Sequence, residues 1–266
     1  MLAKLNVWVD VLATGFMIAA VMFWLIQITG NSLTGRFRHK FRYGQWPEHD
    51  EIVPVIPRIL HFIHVGTFLT LAVSGLYIRF PFYPGLRPLN QQIHFIAMYV
   101  VVAFMLIRIV YALFKDGKQF ILTKQDLQVM PQALMYYGFI RKQYPHIHKY
   151  NGMQKFTYGY VFPIGLTGMA ITGFAMMWPY KLLGWAESVG TAVAYARVSH
   201  FMLAAILVMF VLIHICLSFV EDYPALMIFF GLHRQYWEED YDEYYEDDEE
   251  FAPVTANGDA KNESGG

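Results

Sequence analysis

The run "HFMLAAILVMFVLIH", residues 200 to 214, carries an imidazole at each end and only apolar side chains between them. In a helix, that step of fourteen residues rises about 21 Å and leaves the second imidazole roughly 40° around from the first. His200 and His214 therefore share a face near opposite ends of one apolar segment. Neutral imidazoles bind transition metals and carry protons, so each end could supply half of a paired site. The other histidines in apolar surroundings are His61 and His64 in "PRILHFIHVG" and His94 in "LNQQIHFIAM". His39, His49, His146, His148 and His233 stand in polar or boundary segments, where solvation is the expectation.

The elements that must position these side chains are membrane helices. Hydrophobic residues make up 56% of the chain and charged residues 15%, against roughly 45–50% and 25% in soluble domains. Five runs, near 7–29, 56–79, 93–114, 156–178 and 197–220, reach the length of about 20 apolar residues that spans a bilayer. The fold class expected is an all-α integral membrane protein. The single cysteine, Cys216, leaves no intramolecular disulfide, Cys-ligated iron–sulfur cluster or CxxCH haem attachment. It reads as a small residue facing lipid or another helix. No internal repeat, phosphate-cradling loop or serine nucleophile motif stands out. The glycines of "GLTGMAITG", Gly165, Gly168 and Gly173, suit close helix packing or room for a flat cofactor. The N-terminal run has an early Lys4 but an overlong apolar stretch and no A-x-A site, so a retained helix is expected rather than a signal peptide. Its Asp10 is expected at the aqueous end.

Charge orients the spans. The net charge of −1 divides into +10 over residues 1–235 and −11 over 236–266. The loop expected over 30–55, with Arg58, holds five basic residues and the loop expected over 115–155 holds seven, while 80–92 and 179–196 hold one each. The positive-inside rule places the first two segments in the cytoplasm, with the N-terminus outside and the acidic tail inside. That tail reads as disordered, or as a docking element for a basic surface.

With this topology His94 and His200 share the outer depth, and His61 and His214 share the inner depth. His64 competes with His61, because residues three apart share a helix face. For one buried histidine an interhelical hydrogen bond is as good a reading as ligation. Four histidines matched by depth favour ligation, and two axial imidazoles from facing helices are what a six-coordinate haem b needs.

The chain also resembles the membrane-embedded dihaem cytochrome b (gamma) subunit of respiratory formate dehydrogenase, whose wider family includes cytochrome b subunits of other molybdenum enzymes and of hydrogenases. The matching pieces are "RILH" and "IH" opening successive spans, "FMLIRIV", "KYNGMQK", "ITGFAMMWP" and the His200–His214 helix, over about residues 56 to 220. The resemblance implies a four-helix dihaem bundle, to which this chain adds one N-terminal transmembrane helix. It implies His61 and His214 as ligands of the inner haem iron and His94 and His200 as ligands of the outer one. The arginine of "RILH" favours His61 over His64. It also implies a quinone site at Asn151 and Gln154, two residues able to donate to a quinone carbonyl; by itself "KYNGMQK" reads as a helix start with Asn as cap. Arg58, Arg108 and Arg197 flank the proposed haem depths and could pair with haem propionates, although Arg58 and Arg197 could equally snorkel to water.

The domain organisation expected is a transmembrane helix over 1–30, a cytoplasmic loop over 31–55 and a dihaem core over 56–220. A juxtamembrane segment over 221–235 and the acidic tail over 236–266 follow. The function expected is electron transfer between an extracytoplasmic iron–sulfur or cytochrome subunit and the quinone pool, menaquinone or ubiquinone, through two haem b groups in a bacterial cytoplasmic (inner) membrane. Lipid and quinone are the other partners expected, with no nucleic acid. The alternatives are a haem-free anchor or histidine-dependent transporter, and a carrier serving soluble donors on both sides.

Overall fold

The structure is a computed structural model, and its described residues are 2–44, 46, 54–142 and 152–231. Asn151, the histidines at 49, 146, 148 and 233, and the acidic tail lie outside them. Ten α-helices occur among the described residues, which contain no strand: α1 (Leu2–Leu33), α2 (Arg36–Tyr43), α3 (Val55–Arg79), α4 (Arg87–Tyr111), α5 (Lys124–Tyr137), α6 (Gly152–Phe156), α7 (Phe162–Met177), α8 (Pro179–Leu182), α9 (Val189–Val220) and α10 (Tyr223–Phe229).

Five helical stretches are long and apolar enough to cross a membrane: Lys4–Leu33, Val55–Arg79, Pro84–Lys115, Gly152–Met177 and Val189–Val220. The all-α, five-span architecture expected from hydropathy is thus observed, with longer helices than the apolar runs alone outline. The fifth begins at Val189 rather than near 197, because the Ser188 hydroxyl accepts from the Thr191 amide at 3.3 Å and caps it. The segment 115–155, expected as a loop, contains α5. Thr123 and Asp126 start that helix with a reciprocal capping box.

Three lateral pairings build the bundle: α3 runs along α4, α7 along α9, and α1 along α9. Gly165 and Gly168 make the α7–α9 approach possible, since a Cβ at either would come within 2.7 Å of Leu207 or 2.9 Å of Leu203. Cys216 is fully buried between helices rather than facing lipid. The added helix α1 is fastened at several levels. Trp24 donates from Nε1 to the Leu212 carbonyl at 2.8 Å, and Gln27 from Nε2 to the Tyr137 carbonyl at 2.8 Å. Asp10 does not simply face water: it accepts from Arg79 Nε at 3.0 Å, at the end of α3. At the other end of α1, Lys40 meets Glu221 at 2.7 Å, and Tyr136 donates to the same carboxylate at 3.1 Å. Burial pushes the Lys40 ammonium below its usual value, although Glu221 opposes the shift.

Candidate functional site

The bundle brings four of the five apolar histidines together in two pairs. His94 on α4 faces His200 on α9 with ring centres 6.3 Å apart. His61 on α3 faces His214 on α9 with ring centres 6.4 Å apart. His64 is instead turned to its own helix, with Nδ1 2.6 Å from the Leu60 carbonyl. A metal–imidazole bond of about 2 Å, plus about 1.1 Å from nitrogen to ring centre, puts two axial rings about 6 Å apart across one metal. Both pairs have that separation. Among the described residues, no three His, Cys, Asp or Glu side chains converge; donors in twos suit a porphyrin iron better than a tetrahedral ion.

Hydrogen bonds decide which ring nitrogen is offered. Ser74 on α3 donates to the Thr70 carbonyl at 2.6 Å, so its oxygen is left to accept from His94 Nδ1 at 2.9 Å. Thr172 on α7 donates to the Gly168 carbonyl at 2.7 Å and accepts from His200 Nδ1 at 2.9 Å. With Nδ1 protonated in both rings, Nε2 carries the lone pair a metal needs. Next to these rings the backbone is bare. A Cβ on Gly75 would meet His94 Cε1 at 3.1 Å, and one on Gly173 would meet His200 Cε1 at 3.4 Å. Of the three glycines in "GLTGMAITG", two therefore serve helix packing and the third lies against an imidazole.

The second pair is held differently. Tyr158 places its hydroxyl 2.8 Å from His214 Nδ1. Tyr158 lies in a wide π-turn, Thr157–Val161, between α6 and α7. Pro163 follows closely, has no N–H to give the ladder and crowds the carbonyl four residues before it, and a widened turn accommodates both effects. His61 packs against Phe62 and Phe229, with ring centres at 5.6 and 5.0 Å.

Of the residues expected to bind quinone, Gln154 lies on α6, one turn before Tyr158, whereas Asn151 is outside the described residues. Beside Gln154, Lys155 places Nζ 2.9 and 3.0 Å from the Asp126 carboxylate oxygens, with both residues buried. Burial opposes ionisation of Asp126, but the Thr123 amide and hydroxyl and the Lys155 ammonium together outweigh it and hold the carboxyl at about 2. An apolar groove of about 270 Å³ starts at Phe156 and Tyr160 and runs between α7 and α9. The three arginines have different settings. Arg58 precedes His61 by one turn and reaches toward the Ile228 carbonyl at 3.5 Å. Arg108 lies 5.7 Å from the rings of Tyr111 and Phe120. Arg197 is exposed one turn before His200.

Sequence reasoning missed Ser74, Thr172, Tyr158 and the Asp126–Lys155 pair. Mid-helix Ser and Thr ordinarily bond back to their own helix, which both do here, so nothing in their spacing announces a second partner. For Asp126 a signal was present: T-x-x-D before an amphipathic run is a helix start.

Comparison with known proteins bears on this geometry. A family model described as prokaryotic cytochrome b561 matches residues 53–231. A "Probable Ni/Fe-hydrogenase B-type cytochrome subunit" of Rhizobium leguminosarum bv. viciae is 27% identical over 192 residues, covering 62% of this chain and 78% of that protein. A protein of the same description from Cupriavidus necator is 21% identical over 189 residues, covering 62% and 77%. No solved structure gives a significant match. The cytochrome b relationship expected from the motifs is thus present, with hydrogenase subunits rather than a formate dehydrogenase subunit among the relatives found.

Proposed function

The chain belongs to the prokaryotic cytochrome b561 family, and from that premise we propose that it is the membrane cytochrome b of a hydrogenase-type respiratory complex, moving electrons between an extracytoplasmic redox partner and the quinone pool. The observation that carries this reading is the pair of facing imidazole sets, at 6.3 and 6.4 Å, spaced along one membrane helix. His94 and His200 would hold one haem b, and His61 and His214 a second. Bound there, haem supplies a one-electron carrier at each of two depths.

The protein's own part is to hold, orient and insulate. Ser74 and Thr172 keep two rings in the tautomer that presents Nε2. The apolar helix faces exclude water. Gln154, with Asn151, supplies hydrogen-bond donors for a quinone carbonyl at the edge of the membrane, and the groove along α7 and α9 suits an isoprenoid tail. The Asp126–Lys155 pair braces the helix start that carries Gln154. The basic residues of 30–55 and 115–155 favour the cytoplasmic face for the His61/His214 end, and a quinone reduced there would take its protons from the cytoplasm. Arg58, Arg108 and Arg197 are charged groups suited to propionates. The names of the matched relatives favour a hydrogenase over a formate dehydrogenase as the partner.

Quinol-driven haem reduction in the purified chain tests this. The reading expects reduction by a quinol analogue, slowed at least tenfold in Gln154→Ala and Asn151→Ala with the haem content unchanged. Haem reduction insensitive to quinol and to both substitutions would instead make the chain a carrier between soluble donors.

A further inference from the structure

The two histidine pairs are alike in the separation of their rings and differ in what lies behind them. At His94/His200, each Nδ1 lies 2.9 Å from a hydroxyl oxygen, that of Ser74 or of Thr172, with the Leu71 and Met169 carbonyls also near the two rings. Each of those hydroxyls spends its own proton on a carbonyl four residues back, at 2.6 and 2.7 Å. With their protons on those carbonyls, the two oxygens act toward the imidazoles as acceptors. Ser74 is 2% exposed, so water does not compete for that bond. At His61/His214 the arrangement is lopsided. His214 Nδ1 meets a phenol, the Tyr158 hydroxyl at 2.8 Å. His61 has aromatic neighbours in Phe62 and Phe229 and, among the described residues, no side-chain hydrogen bond.

An acceptor behind Nδ1–H draws that proton outward and leaves more electron density on Nε2. A more basic ligand favours the ferric state over the ferrous state, which lowers the reduction potential. One pair has this push on both rings; the other, among the described residues, has at most one such contact, to a phenol. We propose that Ser74 and Thr172 are positioning residues that act through His94 and His200 to hold the haem of that pair at the lower reduction potential of the two, while Tyr158 acts separately on the haem of His61 and His214. This rests on the two-haem reading above. Its consequence is that an electron shared between the sites favours the His61/His214 end.

The test is a potentiometric titration of the purified full-length chain, followed by haem absorbance, for the parent, Ser74→Ala, Thr172→Val, Thr172→Ser and Tyr158→Phe. Losing one such hydrogen bond is expected to move electron sharing toward the affected haem by roughly two- to tenfold. Ser74→Ala and Thr172→Val should each raise the lower-potential component and leave the higher one in place. Thr172→Ser, which keeps the hydroxyl, should restore the parent value, and Tyr158→Phe should move the higher component alone. If Ser74→Ala fails to assemble, Thr172→Val with its serine control decides the matter. Unchanged midpoints in Thr172→Val with both haems retained, or a shift of the higher component instead, would overturn the inference and leave the two-haem reading standing. A parent chain with no haem would overturn that reading as well.

Discussion

Replacing Asp126 by Asn keeps the shape of the side chain and removes its charge. In the folded protein Asp126 is 3% exposed and Lys155 is 6% exposed, with Nζ within 3.0 Å of both carboxylate oxygens. Asp126→Asn would therefore leave an ammonium buried without a counter-charge, for which the cost is about 3–5 kcal/mol. The same carboxylate closes the capping box by accepting from the Thr123 amide, but the Asn side-chain oxygen can still accept there, so that loss is small. For a chain of this size the stability cost corresponds to a fall in Tm of roughly 6–20 °C. The assay is thermal unfolding of the detergent-solubilised protein by tryptophan fluorescence. The double variant Asp126→Leu with Lys155→Met removes both charges and should recover the part of the loss that comes from the unpaired ammonium, though not the capping-box contact with Thr123. The pH dependence has a definite sign. Because the folded carboxyl is held at about 2 against 3.8 for the free group, its stabilisation is complete above about pH 5 and is lost as pH falls from about 4 through 2. Asp126→Asn should lack that acid limb. A Tm within a degree of the parent, or a double variant worse than either single, would refute the reasoning.

Other perturbations probe separate contacts. Gly75→Ala would set a methyl 3.1 Å from His94 Cε1, so the ring must give by a few tenths of an ångström; the expected outcome is a broadened or partly lost haem spectrum of one component, with the other unchanged. Glu221→Ala removes the partner of the buried Lys40 and of Tyr136 and should lower Tm by an amount similar to Asp126→Asn, with Glu221→Gln milder because Gln keeps hydrogen bonding. Asp10→Asn breaks a half-exposed pair with Arg79 and should cost no more than about 1 kcal/mol, an effect that shrinks further at high salt.

The histidine framework was legible because two periodicities combine in it. Helical spacing put His200 and His214 on one face, and alternation of spans sorted His61 and His94 to opposite ends. Both deductions use only rise, turn and chain direction, and the ring contacts agree with them. The choice of His61 over His64 needed a resemblance, since both lie on the same face; in the structure the rotation of α3 turns His61 to His214. What acts behind the rings was not legible. Ser74 and His94 belong to neighbouring spans, and Tyr158 reaches His214 from a turn whose width no apolar pattern reveals. Asp126 and Lys155 are brought together across a segment expected as a loop, although the capping box marked one end of it. The fastening of α1 was hidden for a related reason: Gln27 and Asn31 look like ordinary polar residues near a helix end, yet both are buried, beside Tyr137 and Glu221.

The measurement that bears most directly on the central claim is the haem count by pyridine haemochrome in the parent chain and in His94→Ala, His61→Ala and the double variant. The account predicts two b haems per chain, one in each single variant with different remaining absorption bands, and none in the double variant. A parent without haem, or single variants that keep both haems, would contradict it.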